Sequence, residues 1–349
     1  MRLEPIAAPS GLRLVGLPLA AVGLTLVIGM ALAAIAGANP LSTIGLILKG
    51  AAGSRFAALE TLNRATPLIF TGLAVAVAFR ARLWNIGAEA QLYGGALVTA
   101  LLGTGLLPLP APLLLPLIAF AAVSAGALLL FGPALLKVRL GVDEVVTTLL
   151  LNFVVLLFVQ MMLEGPLKDP LSLGWPQSPA LLPDARLPRV VTGLRLHWGF
   201  VLGLVAAMLV WLVMARSTLG FEMRAVGENR QAAAFAGIPV KAVLLKTALL
   251  SGGLAGLAGF SEVAGLKGNL TLDLSPGFGY TGVIVAMLAL LHPLGVVISA
   301  IFVAGVFVGA DSMSRAAGVP SYLADILLAT ALLTMVAALK LTHFQVRRG

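Results

Sequence analysis

The chain of 349 residues has no cysteine, so disulfides and thiolate-held metals are excluded. Histidine is scarce: His197, His292 and His343 lie far apart, each at the edge of an apolar run, and offer no cluster for metal or proton relay. Charged residues make up 11% of the chain, against about 25% in a soluble domain. No G-x-x-x-x-G-K-[ST] phosphate loop occurs, so nothing in the chain is fitted to cradle ATP; an ATP-driven process would need a second chain to bind the nucleotide. A membrane enzyme is disfavoured too, because the sequence shows no paired-aspartate metal motif and no nucleophile–histidine pair.

What the chain has instead is apolar length. Hydrophobic residues reach 60%, where soluble domains hold about 45–50%. The polar residues are too few to cover a globule in water. The runs are continuous rather than alternating over roughly ten residues, which excludes a β-barrel. The expected fold class is all-α: a polytopic membrane protein, read over 1–349 as one transmembrane domain. With about 20 apolar residues per crossing, ten spans are expected near 14–36, 62–79, 86–106, 111–134, 143–163, 198–215, 242–261, 280–292, 294–310 and 321–339. The first run exceeds the 7–15 residues of a signal-peptide core and is read as an uncleaved span.

An even number of spans puts both termini on one side. Placing them inside gathers fourteen of the 23 basic residues there, among them Arg80, Arg82, Lys137, Arg139, Arg216, Arg224 and Arg230. Basic residues are retained at the cytoplasmic face, so the net charge of +9 is expected to follow topology rather than nucleic-acid binding. The long loop 164–197 then lies outside, and its prolines, from Pro166 to Pro188, forbid a single helix. It is expected to cover the outer mouth, packed by Trp175 and its leucines. Small residues recur every fourth position at Gly29, Ala33 and Gly37, at Gly252 and Gly256, and at Gly305 and Gly309. Such spacing permits close helix contact, within one subunit or between two.

Several polar residues interrupt the apolar runs. "FRARLWNIGAEAQLYGGAL", Phe79–Leu97, sets Asn85, Glu89 and Gln91 at the start of a span. Buried ionisable groups are costly and face a cavity or one another, and broken half-helices can present backbone groups to a solute. Two roles stay open for Glu89: pairing with Arg80 or Arg82 at the inner interface, or lining the path and its gate. In "GVDEVVTTLLLNF" Asp143 suits a helix N-cap, while Asn152 lies deeper and must find a partner, as helix glue or as pore wall. Glu262 closes the seventh span before "GLKGNLTLDLSPGFGYTG", an irregular stretch tolerated at depth only inside protein or around water. Asn85, Glu89, Gln91, Asn152 and Glu262 are the candidates for a substrate path. "LSGGLAG", Leu250–Gly256, imitates an ATPase signature loop, but it sits in an unbroken apolar run and is discounted.

One polar island remains, "RAVGENRQAAAFAGIPVKA", Arg224–Ala242, between two apolar runs. Asn229 reads as an N-cap, Arg230–Ala236 as two helical turns, Gly237 as the stop and Pro239 as the terminator. Seven residues of helix do not persist alone in water. Such a helix must pack on something, and its alanines suit a groove.

Four segments, in order, resemble the permease subunits of bacterial ABC importers, the branch that handles branched-chain amino acids, simple sugars and nucleosides. "FRARLWNIGAEAQ" is similar to F-R-A-G-L-F-N-I-G-x-E-G-Q. "GVDEVVTTLLLNF" is similar to G-x-N-E-V-I-x-T-x-M-L-N-Y. "RAVGENRQAAAFAGI" is similar to R-A-V-G-x-N-x-x-A-A-x-x-A-G-I, and "SPGFGYTGVIVAMLALLHPLG" to S-P-G-x-G-F-x-G-I-A-V-A-L-L-G-x-x-x-P-x-G. The resemblance implies an ABC importer permease fold and makes 216–241 the coupling-helix loop. Ala225, Gly227, Asn229, Ala232, Ala233, Gly237 and Ile238 are then the matching positions that meet a cytoplasmic ABC ATPase. It further implies ATP and Mg on that ATPase with no cofactor or metal in this chain. The other implied partners are a second permease subunit (a heterodimer before a homodimer), a lipid-anchored or periplasmic binding protein, and membrane lipid. The setting is the bacterial cytoplasmic membrane and the solute most akin to the family is a nucleoside. Arg82 and Ala90 replace family glycines, Trp84 a phenylalanine and Asp143 an asparagine, which leaves the solute open to sugars or branched-chain amino acids. The rival reading is a proton-coupled secondary transporter using Glu89, Glu144 or Glu262.

Overall fold

The computed structural model describes residues 2–5, 11–35, 39–106, 109–191, 193–317, nine separate positions between 322 and 341, and 344–347. Most of the expected tenth span, 321–339, and Gly37 therefore lie outside the described residues. The chain divides into two compact units, Met1–Thr61 with Phe302–Gly349, and Leu62–Ile301.

In the first unit a short strand β1, Arg2–Pro5, pairs antiparallel with β2, Phe344–Arg347, Arg2 opposite Arg347. Nothing in the sequence pattern announces this pair. Helix α1, Gly11–Ile35, coincides with the first expected span. Helix α2, Pro40–Ala52, was not expected; Asn39 caps it by accepting from the Leu41 and Ser42 amides, and Pro40 starts it with its φ already helical. Helix α3, Arg55–Arg80, begins in this unit and continues into the second. The far part of α12, Pro293–Ala317, also belongs here, and a Cβ on its Gly309 would run into the Ile47 carbonyl.

The second unit holds α4, Ala88–Leu101; α5, Ala111–Leu140; α6, Glu144–Glu164; α7, Gly199–Arg216; α8, Thr218–Glu228; α9, Arg230–Phe235; α10, Val240–Phe260; and α11, Phe278–Leu288. Helices α4 and α10 both loosen into π-helical turns, Leu102–Leu106 and Ser261–Lys267. The core is the crossing of α4, α5 and α10. A Cβ on Gly256 would meet the Ala122 carbonyl, one on Gly252 the Gly126 carbonyl, and one on Gly259 the Leu92 carbonyl. The Gly252/Gly256 pair therefore serves packing within the subunit, and the residues that imitate an ATPase loop are buried helix. The corner between α5 and α6 follows its residues: Lys137 and Arg139 in the last turn, Gly141 left-handed at φ 70°, then Asp143 capping α6 through the Val145 amide at 2.8 Å.

Six helices among the described residues are long and apolar enough to cross a membrane: Arg55–Arg80, Ala111–Leu140, Glu144–Glu164, Gly199–Arg216, Val240–Lys267 and Pro293–Ala316. This differs from the ten spans expected. The third and eighth became helices of 14 and 11 residues, which at 1.5 Å per residue cover roughly 21 and 16 Å of a hydrocarbon layer about 30 Å thick. Irregular chain at 86–87 with the π-helical turn Leu102–Leu106 takes up the rest of the first run, and a turn over 289–292 the rest of the second.

The long loop 164–197 is irregular, as its prolines require, and is sewn by backbone hydrogen bonds to the end of α10: Ser178 donates to Leu270, Leu181 to Gly268 and Leu187 to Ala264. Trp175 does not pack it. That ring is 64% exposed, while Leu167, Leu181, Leu187 and Leu196 are buried. The leucines sit where the backbone is sewn down, and Trp175 lies in the turn between.

Candidate functional site

The polar residues that interrupt the apolar runs converge on the turn between α3 and α4. Helix α3 ends in a Schellman closure, Leu83 donating to Ala78 (3.0 Å) and Arg82 to Phe79 (3.0 Å), with Arg82 left-handed at φ 51°. The family glycine at this position is thereby explained: the closure asks for a residue without a Cβ, and here an arginine bears the strain.

Beyond the closure the Asn85 side chain fills a fully buried site. Its oxygen accepts from the Gly87 amide (3.0 Å) and Gln91 Nε2 (2.9 Å). Its nitrogen donates to Gln91 Oε1 (2.9 Å) and Ser251 Oγ (3.0 Å), and Ser251 donates onward to the Ala74 carbonyl at 2.7 Å. Asn85, Gln91 and Ser251 all have zero exposure. Asn152, also at zero, reaches across from α6: its oxygen accepts from the Ala90 amide (2.9 Å), and its nitrogen donates to the Ile86 carbonyl (3.0 Å) and Tyr280 Oη (3.0 Å). These bonds satisfy the amide groups that the start of α4 leaves open. Asn152 thus ties α6 to the start of α4 and to α11.

Glu89 pairs with neither Arg80 nor Arg82. Its Oε2 accepts from the Gly279 amide at 2.6 Å, and Gly279 packs so tightly on the Glu89 backbone that no Cβ would fit. Both arginines are exposed, whereas Glu89 is buried. Glu144 meets a cation, Lys137, and it also accepts from the Trp84 amide at 3.3 Å. Glu262 stands apart, buried on the π-helical turn about 16 Å along the helix from Ser251 at 1.5 Å per residue. Among the described residues no three His, Asp or Glu side chains are placed to hold a metal.

Near that π-helical turn lies His197, with zero exposure. Its Nδ1 accepts from the Gly199 amide at 3.1 Å, its Nε2 has no partner, and a Cβ on Gly265 would strike the ring. Burial pushes the imidazole down to about 4.

The island follows its sequence closely. Asn229 Oδ1 accepts from Gln231 (2.9 Å) and Ala232 (3.0 Å), α9 runs Arg230–Phe235, and Gly237 turns left-handed at φ 82° while Ile238 donates back to Ala233 at 3.0 Å. Ala233 faces inward; Ala232, Ala234, Ala236 and Gly237 are exposed, and Phe235 is 96% exposed. The preceding α8 was not foreseen. Ser217 caps it through the Gly220 amide at 3.1 Å, and its Gly227 rests so tightly on the Arg80 carbonyl that a side chain would not fit. Its signal in the sequence was Ser217–Thr218 before an amphipathic turn. Arg230 Nη2 donates to the Arg82 carbonyl at 2.7 Å. Between this face, the Arg82–Trp84 turn and the α5–α6 corner lies an open cleft of about 750 Å³, lined by Lys137, Asp143, Glu228 and Gln231 among others.

Comparison with known proteins gives the class. The chain belongs to the family described as branched-chain amino acid transport system / permease component, whose profile matches residues 57–338. It is an integral membrane transport subunit and not an enzyme. Among curated proteins it is 35% identical over 328 residues to the guanosine ABC transporter permease protein NupP of Bacillus subtilis (strain 168), covering 92% of each chain. It is 36% identical over 321 residues to the glucose ABC transporter permease protein TsgB13 of Haloferax volcanii, covering 89% of this chain and 83% of that one. It is 29% identical over 311 residues to the nucleoside ABC transporter permease protein NupB of Lactococcus lactis subsp. cremoris, covering 87% and 85%. No solved structure matches the chain.

Proposed function

We propose that this chain is the membrane-spanning subunit of an ATP-driven nucleoside importer and that α9 is its coupling helix. The observation that carries the reading is α9 itself: two turns, capped at both ends, with Phe235 and the small residues Ala232, Ala234, Ala236 and Gly237 bared beside a cleft. An isolated helix of this length gains stability only from packing, and an exposed aromatic flanked by small residues is the form of an interface anchor. The names of the guanosine and nucleoside relatives favour the solute class. The glucose relative, of similar identity, supports simple sugars as the second reading.

In this mechanism a binding protein, lipid-anchored or periplasmic, delivers solute at the side of the 164–197 loop. Two ATPase subunits, which carry ATP and Mg, close on the opposite side. Their motion enters through Gly227, Asn229, Ala232, Ala233, Gly237 and Ile238 and reaches the bundle through α8. A second permease chain, most simply a different one, completes the path; no step makes or breaks a covalent bond in this chain. Arg80, Arg82, Lys137, Arg224 and Arg230 support the α9 side as the inner face, in a bacterial cytoplasmic membrane on this reading. The β1–β2 pairing supports both ends of the chain on one side. Asn85, Gln91 and Asn152 act as the frame of the path, with Glu89 and Glu262 buried beside it.

Uptake of labelled guanosine and glucose into vesicles tests the reading. Import that requires the ATPase and ATP is expected; uptake sustained by a proton gradient without the ATPase would replace it with secondary transport. Replacing Gly237 with valine forces a branched residue into φ 82°. Co-purification with the ATPase should fall while the bundle stays folded, and undiminished complex and transport would remove α9 from the coupling role.

A further inference from the structure

Asn63 is the exception among the buried amides. Asn85, Gln91 and Asn152 use both ends of their side chains in hydrogen bonds within the protein. Asn63, 1% exposed on α3, uses neither: its amide oxygen and its amide nitrogen both lack a partner. Its main chain is short of a bond as well, because Pro67, four residues on inside the same helix, has no N–H to give to the Asn63 carbonyl. An amide acceptor, an amide donor and a released carbonyl thus gather at one residue, where a leucine would serve the fold better.

The surroundings suit a visitor. The next residue, Arg64, holds its guanidinium 5.6 Å from the centroid of the Phe278 ring. Phe278 starts α11 where the irregular segment 268–277 ends, fixed by its amide donating to Ser275 Oγ at 2.8 Å. A helix relieved of a backbone bond beside broken chain at membrane depth is how transporters offer polar groups to a solute. Asn63 stands about 25 Å along α3 from Arg80, at 1.5 Å per residue, and so well away from the α8–α9 end of the bundle.

We propose that Asn63, with the carbonyl released by Pro67 and the Arg64–Phe278 pair, is a contact station for the solute in transit. Its chemistry fits a neutral solute that carries a donor next to an acceptor, as a nucleobase edge does and a sugar diol also does. The station rests on the transport reading above. The protein closes over it in this conformation, and the solute supplies the missing partners when the path opens.

The test is ATP-driven uptake of tritiated guanosine and labelled glucose by the complete reconstituted complex, comparing wild type with Asn63→Leu. A fall of about tenfold in uptake is expected, the loss of one to two hydrogen bonds in transit, with ATPase co-purification unchanged and the melting temperature level or higher. Asn63→Gln, which restores the amide, should recover part of the rate. Loss with guanosine alone marks the base edge as the group recognised; loss with glucose marks the diol, and either supports the station. If Asn63→Leu does not assemble, Asn63→Ala removes the amide without adding bulk and takes its place. Uptake within twofold of wild type, or a loss matched by a lower melting temperature, overturns the station and assigns Asn63 to structure. A wild-type complex that imports neither solute with ATP overturns the transport reading itself, an outcome distinct from equal uptake by both proteins.

Discussion

Asn85 and Asn229 perform the same local act in opposite settings. Each accepts backbone amide hydrogens just ahead of a helix, Gly87 in one case and Gln231 with Ala232 in the other. Around Asn85 every contact turns inward, to Gln91, Ser251 and through it Ala74, at zero exposure. Around Asn229 the helix it starts is laid open, ending in a bare phenylalanine. The first asparagine closes a site on itself; the second starts a helix that stays bare. A capping signal in a sequence says where a helix begins and is silent on which of these follows.

The largest break in this comparison is expected from Asn85→Leu. It strands the Gln91 side chain and the Gly87 amide without partners in the core. We expect about 3 kcal/mol or more of lost stability, read as a lower melting temperature in detergent together with loss of uptake. Retained stability would mean that the network is dispensable.

A buried group only half satisfied should fall between the two. His197 folds neutral, its imidazole held near 4 against an ordinary 6.5. Its contribution is complete above pH 6.5 and is lost as the pH falls toward 4, because the unfolded chain takes up the proton first. Between pH 7.5 and 5 the loss is roughly 2 kcal/mol. Melting temperatures of wild type and His197→Phe across that range check it; parallel curves would refute the assignment.

Phe235→Ala reverses the pattern of Asn85. Being a surface change, it should leave stability within about 0.5 kcal/mol, while affinity for the ATPase drops about tenfold, or about 1.4 kcal/mol, as for an interface anchor. Binding measured on immobilised complexes decides it. The smallest effect belongs to Arg82→Gly, a gain rather than a loss. Left-handed strain of roughly 1–2 kcal/mol is removed, and the extra freedom of unfolded glycine returns roughly 0.5–1 of it. A small rise in melting temperature with unaltered transport is expected, since the carbonyl that receives Arg230 is kept.

Local chemistry was the part most legible in the sequence. The Asp143 cap, the limits of α9 and the left-handed Gly237 each follow from residues within one turn of each other. The family was legible as well, because its four motifs build the α3–α4 turn, the start of α6, the island and the start of α11. The span count was not, since an apolar run does not reveal that α4 and α11 stop short and give way to irregular chain. Trp175 misled because a large apolar ring carries no label for the turn that holds it out. Asn63 was passed over for a similar reason: within "ETLNRATP" it looks like the polar entrance to a helix, and only its zero yield of hydrogen bonds marks it out.

The fit of Gly227 against the Arg80 carbonyl has a mechanical consequence. With no side chain between them, α8 and the end of α3 meet backbone to backbone, a joint with no cushion. If α9 couples as proposed, force applied there reaches α3 without slack, and a single methyl group at 227 acts as a shim, prying the two rods apart so that part of each stroke is wasted as play.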